Sequence, residues 1–139
     1  MEMGDSKFKC KKLRTPLAVA LLAFLPLVVS GRPLTPERFV VDQGSYRYWI
    51  FEVGRSARIF GQFRAEGSGA NEIRVYLMDE GEFENFRNGK TFRSYYSSDR
   101  VSRGEINLRF YSGRYVVVFD NTFSASNKTV TSNLRIEED

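Results

Sequence analysis

The stretch Ala57–Arg64, ARIFGQFR, sets Ala57, Ile59, Gly61 and Phe63 against Arg58, Gln62 and Arg64 in alternation. A period of two sends successive side chains to opposite faces, so this stretch reads as a strand with one buried face. Working outward, the pattern returns in Glu72–Met78, where Ile73, Val75 and Leu77 oppose Glu72 and Arg74. It returns again in Glu105–Phe110, where Ile106, Leu108 and Phe110 oppose Glu105, Asn107 and Arg109. Lys128–Ile136 closes the chain with Val130, Leu134 and Ile136 on one side and Thr129, Thr131, Asn133 and Arg135 on the other. Tyr46–Val53 (YRYWIFEV) and Arg114–Phe119 (RYVVVF) are nearly continuous apolar runs, as expected of strands lying near the middle of a sheet and covered more fully. Phe39–Asp42 and Phe92–Ser97 add two short strands. Gly44-Ser45, Gly54-Arg55, Gly67-Ser68-Gly69, Arg103-Gly104 and Ser112-Gly113 supply the expected turns. The pattern predicts an all-β antiparallel sandwich of about eight strands over residues 39–137, with an extended, proline-bearing lead-in at 31–38.

One segment breaks the period. In Asp79–Gly89, DEGEFENFRNG, Asp79 is placed to cap a helix, acidic residues fill the first turn, Phe83 and Phe86 share a face, and Gly89 stops the run. A helix of one or two turns capping one end of the sandwich is expected there.

Residues 1–30 have a different character. Lys7, Lys9, Lys11, Lys12 and Arg14 precede the apolar run Leu17–Val29, which is short for a membrane span and is interrupted by Pro26. Val28 and Ser30 satisfy a small-residue rule for cleavage before Gly31, so the segment reads as a signal peptide and the protein as extracytoplasmic, periplasmic or secreted. An uncleaved segment would be the expected route of membrane contact. The leader also accounts for most of the +4 charge of the whole chain, because residues 31–139 hold 16 Lys plus Arg against 15 Asp plus Glu. A near-neutral domain lacks the concentrated basic surface of a phosphate-backbone binder, so no nucleic-acid partner is expected.

Residue types missing from the chain narrow the chemistry. There is no histidine, and the one cysteine, Cys10, lies inside the leader. Histidine-based acid–base catalysis, thiol nucleophiles and intrachain disulfides are thereby excluded from residues 31–139. Asp79, Glu80, Glu82 and Glu84 form the densest acidic cluster, but their spacing departs from calcium-loop patterns and suits a helix N-terminus. No catalytic residue, metal or cofactor is assigned, and the protein is read as a non-enzyme.

Two residue classes offer binding surfaces. Arginine outnumbers lysine fourteen to two after Ser30, and Arg58, Arg64, Arg74, Arg109, Arg114 and Arg135 fall on outward strand positions. They suit an anionic partner, although a solvated face balanced by Glu66, Glu72 and Glu105 accounts for them more simply. Tyr46, Tyr48, Tyr76, Tyr95, Tyr96 and Tyr111 exceed what a core of this size needs. Exposed tyrosines stack on sugars or anchor protein interfaces; cross-strand aromatic pairs are the plainer alternative. Tyr95, Tyr96, Arg74 and Arg109 are the candidate binding surface. Asn127-Lys128-Thr129 is a glycosylation sequon, meaningful in a eukaryotic secretory path.

The most specific stretch is Gly113–Val130, GRYVVVFDNTFSASNKTV. Together with ARIFGQF, NEIRVYLMD, EFENF and SYYSS upstream, it resembles the GOLD domain, the luminal β-sandwich of a class of cargo-receptor proteins and of some lipid-binding Golgi proteins. The elements that carry the resemblance are Gly113 and Tyr115, the strand end Phe119-Asp120-Asn121, then Phe123-Ser124, and Lys128 opening the last strand. The resemblance implies a corner in which Asp120 and Asn121 close a tight turn, Phe123 tucks beneath it and Lys128 neutralises Asp120. Paired cysteines, a coiled coil and a C-terminal membrane helix do not accompany the pattern here, so a standalone exported module is expected. Its implied role is noncatalytic binding of a protein or peptide, with a carbohydrate- or ligand-binding accessory module as the alternative.

Overall fold

The computed structural model describes residues 31–139, and the expected leader lies outside them. Eight strands and one helix follow in order: β1 (Arg32–Pro33), β2 (Arg38–Val41), β3 (Tyr46–Gly67), β4 (Arg74–Asp79), α1 (Glu80–Arg87), β5 (Tyr96–Ser97), β6 (Arg103–Asp120), β7 (Lys128–Ser132) and β8 (Arg135–Glu138). The antiparallel β-sandwich class stands, but the strands are partitioned differently. Tyr46–Val53 and Ala57–Arg64 are two halves of one strand, and so are Glu105–Phe110 and Arg114–Phe119.

The expected turns at Gly54-Arg55 and Ser112-Gly113 are in fact a β-bulge. Val53 pairs with Gly113 and Ser56 with Tyr111, so Gly54 and Arg55 face the single residue Ser112. A bulge bends the ladder without ending it. It also explains the sequence pattern, because the inward positions of β6 change from Ile106, Leu108 and Phe110 to Tyr115, Val117 and Phe119 across that point. Arg103-Gly104 likewise begins β6 instead of forming a turn. The bend lets one hydrogen-bonded network fold over itself. The first half of β3 and the second half of β6 join β4 and β5, while the second half of β3 pairs with β7 and β8. Inward residues of the two layers meet in one core, with Phe119 against Phe39, Trp49 and Phe63 at ring separations of 4.9, 5.9 and 6.2 Å.

Lys128–Ile136 divides into β7 and β8 at Asn133-Leu134. There β3 changes partner, and Asn133 fills the gap. Its backbone N–H donates to the Gln62 carbonyl at 3.0 Å, and its Oδ1 accepts from the Gln62 N–H at 2.6 Å. Gly61 permits this close crossing: its φ is +134°, and a Cβ there would stand 2.6 Å from the Asn133 carbonyl oxygen. Phe92–Ser97 contributes only Tyr96-Ser97 as strand, and the lead-in contributes Arg32-Pro33, paired with β8.

Helix α1 starts and stops as expected, with Asp79 accepting from the Glu82 N–H at 2.8 Å and Gly89 at φ +71°. It covers the outer sheet face rather than one end of the sandwich. Phe83 is buried with Met78, Val116 and Val118, flanked by Tyr46, Tyr76, Phe86 and Phe92. The run YVVVF is therefore apolar throughout because Val117 faces the main core while Val116 and Val118 face the helix.

Candidate functional site

Two places stand out, of which only the first gathers the residues singled out by sequence. The first is the corner after β6. Asn121 is fully buried, and its Nδ2 donates to the carbonyls of Val41, Asp42 and Ser126 at 3.2, 3.2 and 2.8 Å. Its Oδ1 accepts from Lys128 Nζ at 3.1 Å, and Lys128 also donates to Ser124 Oγ at 2.8 Å. Burial lowers the Lys128 ammonium below its ordinary value, opposed by the charge of Glu72. Lys128 does not neutralise Asp120. Arg74 does, at 3.2 Å, while Thr122 donates to Asp120 through its N–H and its hydroxyl at 2.9 and 2.6 Å. The reason is directional: Arg74 is opposite Asp120 in the β4–β6 register, whereas Lys128 points inward at the start of β7.

Phe123 is half-buried among cations, its ring centre 4.2 Å from Arg100, 4.9 Å from Arg74 and 5.5 Å from Lys128 Nζ. Earlier in the motif, Tyr115 spans the bulge by donating its hydroxyl to the Tyr111 carbonyl at 2.7 Å, above a stacked Phe51. Gly113 lies at the bulge itself. The polar atoms of Asn121 and Lys128 are spent on internal bonds that tie the β2–β3 turn to the β6–β7 loop, and those of Asp120 tie that loop to β4. This corner is a clasp.

The second place is a groove of about 860 Å³ bounded by β1 and the first half of β3. The expectation that Tyr46–Val53 lies mid-sheet and well covered does not hold: among the described residues it pairs with β6 on one side and with no strand on the other, because β7 and β8 take up only the second half of β3, and Tyr48 and Ile50 are left exposed. Leu34, Phe51 and Val53 are nearly buried at the groove's floor, Ile50 stands 44% exposed at its lip, and the charged Arg32, Glu52, Arg114 and Glu138 make its accessible lining largely polar. The rim charges are paired with neighbours on their own side, Arg32 of β1 with Glu138 of β8 at 3.1 Å, and Arg114 with Glu80 of α1 and the cross-strand Glu52 at 3.1 and 3.5 Å. No single sequence signal marks this groove, because β1 and Tyr46–Val53 reach it from separate layers.

The four surface candidates are dispersed. Tyr95 is 57% exposed and packs edge-on to Phe110 and Tyr115, Tyr96 leans on the main core, Arg74 holds Asp120, and Arg109 holds Asp139. The acidic cluster is dispersed as well: Glu80 turns to Arg114, Glu82 accepts from the Arg93 N–H at 2.9 Å, and Glu84 meets Arg87. The Arg93 backbone N–H is also what lowers the Glu82 carboxyl below its ordinary value.

No protein-family model matches the chain, and no curated protein matches it. Among solved structures it is similar to Aeromonas hydrophila PliG, a periplasmic lysozyme inhibitor of g-type lysozyme, at 10% identity and a TM-score of 0.43, covering 70% of this chain and 82% of that one.

Proposed function

We propose that the protein is a noncatalytic, exported interaction module, GOLD-like in its β6–β7 corner, that binds an extended peptide segment of a protein partner outside the cytoplasm. The observation that carries this reading is the unpaired edge of Tyr46–Val53, whose end at residues 50–53 opens on the groove beside β1. An open strand edge offers backbone N–H and C=O groups to an added strand, and pockets for alternate side chains supply selectivity. Ile50 is already exposed at the lip. The groove is mainly a recognition surface, since its charged groups satisfy one another at the rim.

Panning a displayed random-peptide library on the purified protein tests this. Enriched sequences should alternate apolar and polar residues, and Ile50→Arg should abolish their binding while Tyr95→Ala leaves it intact. An unenriched library, or binders indifferent to Ile50→Arg, would overturn the reading.

A further inference from the structure

A different edge carries an independent inference. The first half of β6, Arg103–Tyr111, pairs with β3 on one side and, among the described residues, with no strand on the other, since β4 joins β6 only from Tyr115 to Asp120. The open segment is bounded at one end by the Ile73–Val101 bridge and at the other by the bulge at Ser112. Along it Arg103, Glu105, Asn107, Arg109 and Tyr111 face outward and are exposed, while Ile106 and Phe110 are buried and Leu108 is half-buried on the inner face. Such an edge invites a second strand.

The order of these residues selects the occupant. In an antiparallel pair of identical strands related by a two-fold axis at Asn107, Glu105 of each chain stands opposite Arg109 of the other, Asn107 opposite Asn107, and Arg103 opposite Tyr111. On the inner face Ile106 meets Leu108, covering the leucine's exposed side, and Gly104 meets Phe110. Axes at Glu105, Ile106 or Arg109 each set like charges face to face, an axis at Leu108 leaves Glu105 opposite Tyr111 and Asn107 opposite Arg109 with no ion pair, and an axis at Gly104 pairs Arg103 with Glu105 but overlaps the open segments only over Arg103, Gly104 and Glu105. Opposite charges across a ladder stabilise it and like charges oppose it. Arg109 already shares the Asp139 carboxylate, and its planar fork has further N–H groups for a second one.

We infer that two copies of this chain join edge to edge through Arg103–Tyr111, extending the β3–β6 sheet across a two-fold axis at Asn107. The interface is isologous, so each charged pair occurs twice and each substitution acts twice.

Charge reversal tests the register by sedimentation of protein produced from the full chain, over a range of concentrations. The unaltered protein should dimerise. Glu105→Arg alone and Arg109→Glu alone should each weaken dimerisation by about tenfold to a hundredfold, since each turns two attractive pairs repulsive. Mixing the two single variants should produce a heterodimer, and Glu105→Arg with Arg109→Glu in one chain should restore the homodimer. Thermal melts confirm that each variant is folded. Should Arg109→Glu fail to fold for want of its Asp139 contact, Asn107→Asp, which sets two carboxylates face to face on the axis, serves in its place and should also give monomers. A monomer at every concentration, single variants that dimerise like the parent, or a double variant that stays monomeric would each overturn the inference. Peptide binding in the β3 groove is measured separately on the monomeric Glu105→Arg variant, so the two ideas fail independently.

Discussion

Replacing Asn121 with alanine should be among the most damaging single changes available to this domain. Its amide donates to three carbonyls with two protons, and its oxygen accepts from a cation that is 1% exposed. Neutral hydrogen bonds contribute about 1 kcal/mol each, and one to a charged group about 1.5–3 kcal/mol, so Asn121→Ala should cost about 4 kcal/mol. At roughly 4 °C per kcal/mol for a domain of this size, the melting temperature should fall by about 15 °C. Lys128→Met should cost less, because it removes the buried charge together with its desolvation penalty. The two sites touch, so the double variant should be more stable than the sum of the single effects predicts, by about 1 kcal/mol or more. Urea unfolding of the four proteins measures all of these terms. A loss below about 1 kcal/mol for Asn121→Ala, or strict additivity with Lys128→Met, would refute the clasp.

The remaining predictions concern the frame. Gly61→Ala should destabilise by about 2 kcal/mol or more, because a positive φ and a backbone clash coincide, whereas Gly69→Ala, with φ +85° and open space, should show only the conformational strain; chemical denaturation separates them. Asp79→Ala should cost about 1 kcal/mol through the lost cap, and Phe83→Ala about 3–5 kcal/mol through the cavity it leaves under α1, both readable as melting shifts. Burial raises the phenols of Tyr76, Tyr96 and Tyr115 above the ordinary value of 10.0, so their contribution to stability is complete below that pH and is lost as pH rises through the folded values. In an alkaline absorbance titration of variants carrying Tyr→Phe at each of these three positions, the absorbance lost should be that of a phenol ionising above the ordinary value, and loss at the ordinary value would contradict their burial.

Period-two alternation in ARIFGQFR, NEIRVYLMD and EINLRF determined the strands, the inward faces and the sandwich class, because side-chain direction along a strand is a local property. Buried Ala57, Ile59, Phe63, Ile73, Val75, Leu77, Ile106 and Phe110 follow from it directly. The cap at Asp79 and the stop at Gly89 were equally legible, since each acts within a few residues. What only the tertiary structure decided was pairing. A bulge and a turn both shift the phase of the pattern at glycine, and only the register of Val53 with Gly113 and Ser56 with Tyr111 shows that the strands run on. Lys128 and Asp120 looked like partners along the chain, yet Arg74 took the carboxylate from the neighbouring strand. The open edges at Tyr46–Val53 and Arg103–Tyr111 were invisible for the same reason. Whether a strand has a second neighbour depends on where the rest of the chain goes, and nothing within the strand records it.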